Sequence, residues 1–279
     1  MSKQQAVAVK KEQQMTLPGF MQEHVGLGTE KLDSSDLEIP RIKLMQKISP
    51  ELDEYAEARA GEIWHTLAEI NLGPEVRVTP LYVDTKFILW RPQETGGGIL
   101  ARADDGIHWS PANARFNVTL KTKEEVVWAT APTVAASGLD KWGSSNPTDP
   151  NSPPAATRMY VLAMGLPDYP DLPPAVVTLQ RSAIRVARKF IGKLKITRAP
   201  SFGLIFKMKA VQETNNAGQP FLNYAFQADG MVQDKDVYDS NHKWYELFAK
   251  QGVQVKDLDK AQDDEVPHDG GSTKDEIPF

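Results

Sequence analysis

Turn signals constrain this chain more than any other feature. Between residues 62 and 226 the apolar residues fall into short runs, and Gly, Pro, Asn or Asp closes most of them before a long helix could form. The first run is Glu62-Ile63-Trp64-His65-Thr66-Leu67. Val76 to Val83 is the second, and it continues into Lys86-Phe87-Ile88-Leu89-Trp90. Gly96, Gly97 and Gly98 turn the chain into Ile99-Leu100-Ala101-Arg102, and Asp105-Gly106 turns it again before Ile107-His108-Trp109. Residues 137–174 hold eight prolines and read as loop, interrupted by one strand from Arg158 to Met164. Ala175 to Leu179, Phe202 to Met208 and Phe221 to Phe226 complete the β pattern. Only two stretches read as helix. One is capped by Ser182 and carries Ile184, Ala187, Ile191 and Leu194; the other spans about Asp236 to Lys250, with Val237, Tyr245 and Phe248 on one face. The expected class is therefore mainly β with minor α: a barrel or sandwich with one or two helices.

The ends of the chain follow different rules. Residues 1–38 are rich in Gln, Lys, Glu and Ser without a sustained period, and beyond Val255 the chain is polar, acidic and glycine-bearing. These compositions predict a flexible arm (1–38), a folded domain (39–255) and a disordered acidic tail (256–279). The opening MSKQQAVAVKKEQQ has no apolar core for a secretory signal, and no run of eighteen apolar residues offers a membrane span. There is no cysteine, so disulfides, thiol nucleophiles and Cys-zinc sites drop out. That suits a reducing compartment, and a cytoplasmic location is expected. The five histidines are too scattered for a ligand pair, so neither metal nor cofactor is expected.

Charge is informative once it is located. The net charge is −5, but residues 257–279 hold eight acids and two lysines, a net −6, which leaves the rest of the chain at +1. Within that body, Arg181, Arg185, Arg188, Lys189, Lys193, Lys195, Arg198, Lys207 and Lys209 occur without an acid among them. On a helix Arg181, Arg185, Arg188 and Lys189 share one face, the spacing needed to follow a phosphodiester backbone. A basic block and an acidic tail on one chain form the charge pattern of a polyanion binder. Trp90, Arg91, Arg102, Trp109 and Trp142 lie beside turns or loops and near positive residues, where aromatic rings could stack on unpaired bases.

The last residues, Asp275-Glu276-Ile277-Pro278-Phe279, close an acidic, Gly/Ser-bearing spacer. An exposed apolar end needs a partner: the ring suits a pocket, and the terminal carboxylate and neighbouring acids suit a basic rim. This end resembles the C-terminal tip of single-stranded DNA-binding proteins. Together with the strand, the helix starting at Thr178-Leu179-Gln180-Arg181-Ser182-Ala183, the Phe-rich strand and the Asn223-Tyr224 strand, it is similar to the phage-type members of that family. The resemblance implies an elaborated OB-fold-like barrel that coats single-stranded DNA in replication or recombination, inside the infected host, and recruits partner proteins through its tip. It also implies DNA contact by the basic block and the aromatics, and partner contact by residues 275–279. The chain is longer than bacterial members and carries inserted loops. In the arm, Gln14, Leu17 and Phe20 resemble the Gln-x-x-Leu-x-x-Phe peptides that dock on sliding clamps.

Enzyme signatures are missing. Gly96-Gly97-Gly98 has no following Gly-Lys-Ser/Thr, there is no Gly-x-Ser-x-Gly or His-Glu-x-x-His, and Ser240-Asn241-His242-Lys243 stands without companion motifs. No catalytic residue is expected. The alternatives to a strand-coating protein are a recombination mediator that anneals strands and a virion or scaffold protein.

Overall fold

A computed structural model describes residues 40–90, 98–120, 122–215 and 218–253, all within the unit that begins at Ile39. In chain order its first elements are β1 (Ile42–Leu44), α1 (Glu51–Glu54), β2 (Ile63–His65), β3 (Ile70–Gly73) and β4 (Glu75–Trp90). Next come β5 (Ile99–Ala103), β6 (Arg115–Thr119), β7 (Glu125–Ala129) and α2 (Val134–Ser137). The remainder is β8 (Ala156–Gly165), β9 (Ala175–Gln180), α3 (Ile184–Thr197), β10 (Leu204–Thr214), β11 (Pro220–Met231) and α4 (Lys235–Gln251). The chain is mainly β, as its pattern of short apolar runs predicts.

β4 organises the main sheet. Its first residues, Glu75 to Val78, pair with β10; Thr79 to Leu89 pair with β8; Phe87 to Trp90 pair with β5. β11 extends β10 and β9 extends β8, giving the order β11-β10-β4-β8-β9, antiparallel throughout. Asp84 and Thr85 do not break β4, and the run from Val76 continues into Lys86 to Trp90 as expected. Pro80 is accommodated because the register against β8 slips between Pro80 and Tyr82, which is how a residue without an N–H survives inside a sheet.

The two outer strands of this order both meet β1. On one side Val176 of β9 donates its N–H to Pro40, and Arg41 bridges Val176 in parallel. On the other side the Gln46 side chain donates to the Leu222 carbonyl at 2.9 Å and accepts from the Leu222 N–H at 3.2 Å. The Leu44 N–H donates to the Tyr224 hydroxyl at 2.9 Å. The sheet thus curls around one core. Ile42, Val78, Leu162, Met164, Val177, Leu179, Phe206 and Phe226 line it, and α3 plugs it with Ala187 and Phe190. Phe190 meets Phe206 edge-on at 4.9 Å and Phe226 at 4.3 Å, arrangements aromatic rings favour.

Two further layers lie outside this core. α4 sets Tyr238, Trp244, Tyr245 and Phe248 against Leu81, Ile88, Val161 and Ala163 on the outer face of the sheet. Its expected inner residue Val237 is instead exposed, and Tyr238 takes the inward position. Between β4 and β8, the β6–β7 hairpin and α2 surround Trp109, Val118, Trp128, Val134 and Leu139, a cluster that joins Phe87 and Leu89 of β4. β3, β6, β7 and the two four-residue helices fall where no element is expected. Conversely, Ile107 to Trp109 form no strand and contribute one isolated bridge, His108 to Thr133.

Candidate nucleic-acid interface

α3 carries most of the basic block, and its geometry departs from the expected one at both ends and in its phase. The chain enters through a 3₁₀ turn, Arg181–Ala183, with Arg181 in the left-handed region at φ 47°, and no side chain caps it. Ser182 therefore does not act as the expected cap. The inward face is Ala183, Val186, Ala187, Phe190 and Leu194. Ile184 and Ile191, expected in the core, are only half buried, because Phe190 fills the space they would need. The outward face holds Arg185, Lys189, Gly192 and Ile196, spaced by four, three and four residues along one stripe. Arg188 and Lys195 flank it on one side and Lys193 on the other. The helix ends at Arg198, which adopts the left-handed conformation.

Folding supplies the basic block with counter-charges that its own stretch of sequence lacks. Arg185 reaches Glu213 of β10 at 3.2 Å, yet its side chain is 78% exposed, so this pair contributes little stability and opens easily. Lys193 donates to the Phe226 carbonyl at 2.5 Å. Arg181 and Arg188 also have partners within the fold. The Lys189, Lys195 and Arg198 side chains are exposed and form no ion pair or hydrogen bond among the described residues. Their charge is directed to solvent.

The strand portion of the block is different. Lys207 lies 3.4 Å from Asp229 and 3.6 Å from Glu75, and Asp229 in turn accepts from Arg77 at 3.1 Å. Arg77 also holds Asp168 at 2.9 Å. The hydrogen bond and charge of Asp229, reinforced by Glu75, raise the Lys207 ammonium above its ordinary pKa. Lys209 stands opposite Glu75 in the β10–β4 register. Glu75 lies on β4, far away in sequence, and Asp229 on β11, the hairpin partner of β10. Lys207 is thus a member of a balanced surface network, and its charge is largely spent within the fold.

The aromatic candidates also separate. Trp109 is 3% exposed, packs in the cluster between β6 and α2, and donates its indole N–H to the Ser137 hydroxyl at 3.0 Å. Both its faces are in the core, which corrects its selection as a stacking residue. Trp90 ends β4 half buried, pairs with Ile99 of β5 and packs on the outer cluster that α4 also covers, and its indole nitrogen has no hydrogen-bond partner among the described residues. Trp142 is 40% exposed on the loop between α2 and β8, next to Lys141. Arg102 is half buried on β5, its backbone paired with Ser110. Arg91, the 14–20 peptide and the tip Asp275, Glu276, Ile277, Pro278 and Phe279 lie outside the described residues.

One feature of the site is not among the residues read from the sequence: Ile196, an isoleucine 82% exposed at the centre of a cationic face. Its signal is the Lys195-Ile196-Thr197-Arg198 run once the helix phase is known. Among the described residues no group of three His, Asp or Glu is placed to hold a metal ion, and no helix is long and apolar enough to cross a membrane. A family model described as Pam3 phage gp34-like protein matches residues 10–254. No curated protein and no solved structure matches the chain.

Proposed function

The chain belongs to the Pam3 phage gp34-like family, and we propose that it is a non-enzymatic protein that binds and protects single-stranded DNA with little sequence preference. The observation that carries this reading is the exposed face of α3, where Lys189, Lys195 and Arg198 hold unbalanced positive charge on a body of near-neutral total. Each phosphate so neutralised releases a counterion, which gives binding that any sequence can exploit.

The strand order supports an OB-type barrel. Counting β4, β8, β9, β10 and β11 as first to fifth, the order is 5-4-1-2-3, with α3 between the third and fourth strands and inside the barrel mouth. In such barrels oligonucleotides are bound on the second and third strands and by the loops joining strands one to two and four to five. Here the first of those loops contains Arg102 and Trp142, with Trp90 at its root; the second is the β10–β11 turn around Gly218. The acidic tip, residues 275–279, serves in this reading to recruit replication or recombination proteins in the infected cell, and the 14–20 peptide to meet a sliding clamp.

The test is a titration of labelled oligo-dT and a duplex of equal length at several salt concentrations. Tighter binding to the single strand, with little change between oligo-dT and a mixed sequence, is expected. Equal affinity for duplex would refute the barrel-groove reading. No affinity for either at 50 mM salt would refute DNA binding altogether.

A further inference from the structure

We propose that the surface around the turn Ser201–Gly203 is a base-stacking step adjoining the cationic end of α3, a site that rests on the single-stranded DNA reading above. His242 projects from α4 and stacks on Phe202, with centroids 5.1 Å apart and 29° between the planes. It also lies nearly parallel to Tyr245, at 6.2 Å and 13°. Phe202 and Tyr245 are themselves 5.2 Å apart, so they stand on the same side of the imidazole instead of sandwiching it. The His242 side chain is 48% exposed, so ring surface not covered by those two rings is within reach of solvent. Glu246 approaches the ring nitrogen Nε2 at 3.8 Å.

Behind His242 the rings continue inward. Phe202 meets Tyr238 at 5.2 Å, and Tyr245 meets Tyr82 of β4 at 6.2 Å. A planar group laid on His242 would therefore extend a column already anchored in the outer core. Exposed apolar side chains border the same turn. Met231 pairs with Leu204, the residue after the turn, and the N–H of Val232 donates to the Gly203 carbonyl at 2.9 Å. Val237 is exposed one residue before Tyr238.

The chain connects this patch to the unpaired cations. Arg198 precedes Phe202 by four residues, which can span at most about 14 Å. Positive charge for a phosphate and exposed aromatic surface for a base thus lie a few nucleotides or less apart. That combination selects the occupant. In a duplex the base faces are already covered by their neighbours, so only an unstacked strand can place a base on His242 while its backbone lies on Lys195 and Arg198.

The experiment compares full-length wild type, His242→Ala, His242→Phe and Met231→Gln for binding to labelled oligo-dT and to an abasic oligonucleotide of equal length. The abasic strand keeps the phosphates and lacks the bases. His242→Ala is expected to weaken oligo-dT binding at least about fivefold, the lower end of one lost base stack, and to leave abasic affinity unchanged. His242→Phe should retain wild-type affinity for oligo-dT. Met231→Gln, at an exposed position that folding does not depend on, should weaken oligo-dT binding selectively as well. If His242→Ala and Met231→Gln bind oligo-dT like wild type, or if the losses are equal on abasic DNA, the stacking step is refuted while DNA binding stands. If wild type itself binds neither oligonucleotide at low salt, the underlying reading fails, and this proposal with it.

Discussion

Removing the three unpaired cations of α3 together gives the most direct measure of what the basic block does. In the variant Lys189→Gln/Lys195→Gln/Arg198→Gln no internal ion pair is broken, because none of the three has one among the described residues. All three sites are exposed, so the fold should be retained. If each cation neutralises one phosphate of a single strand, the slope of log affinity against log salt falls by about 0.7 per site, or about 2 in total. Over the fourfold range from 50 to 200 mM salt, the wild type should then lose roughly twentyfold more affinity than the variant. The control is Lys207→Gln. Its charge is already balanced by Asp229 and Glu75, so its slope should match wild type within about 0.3. Fluorescence anisotropy with labelled oligo-dT at five or more salt concentrations gives both slopes. An unchanged slope in the triple variant, or an equal drop in Lys207→Gln, would overturn the argument that local pairing decides which cations reach DNA.

Three other outcomes are expected. Phe190→Ala removes the ring packed between Phe206 and Phe226 and should cost about 3–5 kcal/mol in urea unfolding, and a loss below about 1 kcal/mol would mean that α3 is not the plug of the core. His65 is fully buried, its Nδ1 accepts from the Ala68 N–H, and burial holds its pKa below the ordinary value. The folded state therefore binds fewer protons than the unfolded one. Stability should be fully present above about pH 6.5 and fall below it, by up to about 1.4 kcal/mol per pH unit, and His65→Gln should flatten that decline in urea midpoints measured from pH 7.5 to 5. An identical decline in the variant would assign it to other groups. Deleting residues 257–279 should tighten oligo-dT binding at low salt, where tail and DNA compete for the cationic face with least screening. Phe279→Ala should leave that affinity unchanged, and weaker binding after the deletion would exclude the competition.

The basic helix is legible in the sequence because its period and its lack of acids belong to one continuous segment. Its phase is not. Apolar residues lie on both flanks, and Phe190 displaces Ile184 and Ile191 from the core only because Phe206 and Phe226 are waiting there. The neutralisation of Lys207 is invisible for a related reason: Asp229 reaches it through the β10–β11 pairing and Glu75 through a strand pairing that spans most of the domain. Trp109 adjoins the Asp105-Gly106 turn, and a neighbouring turn does not reveal which side of the chain a ring will take. The short hairpin β6–β7 escapes notice because its outward positions are mostly polar and its inward ones few. The long strand β4 is legible in the sequence, its continuation from Val83 into Lys86 included; the register slip against β8 at Pro80 is not.

The region between β4 and β8 begins and ends at neighbouring points. Leu89 and Ala156 are direct partners across the sheet, so the chain leaves the main sheet and returns to it about 5 Å apart. Such a junction makes residues 91–155 an exchangeable module: a shorter loop, a longer one or an unrelated small domain could be spliced there without altering the pairing of β4 with β8 or β10, only the β5 pairing along Phe87 to Trp90 being lost. One condition limits the exchange. Phe87 and Leu89 of β4 share their apolar cover with the inserted cluster, so any replacement must bring its own roof for those two side chains. Variation in length within the family, and attempts to graft new binding loops onto this sheet, should concentrate at this splice point.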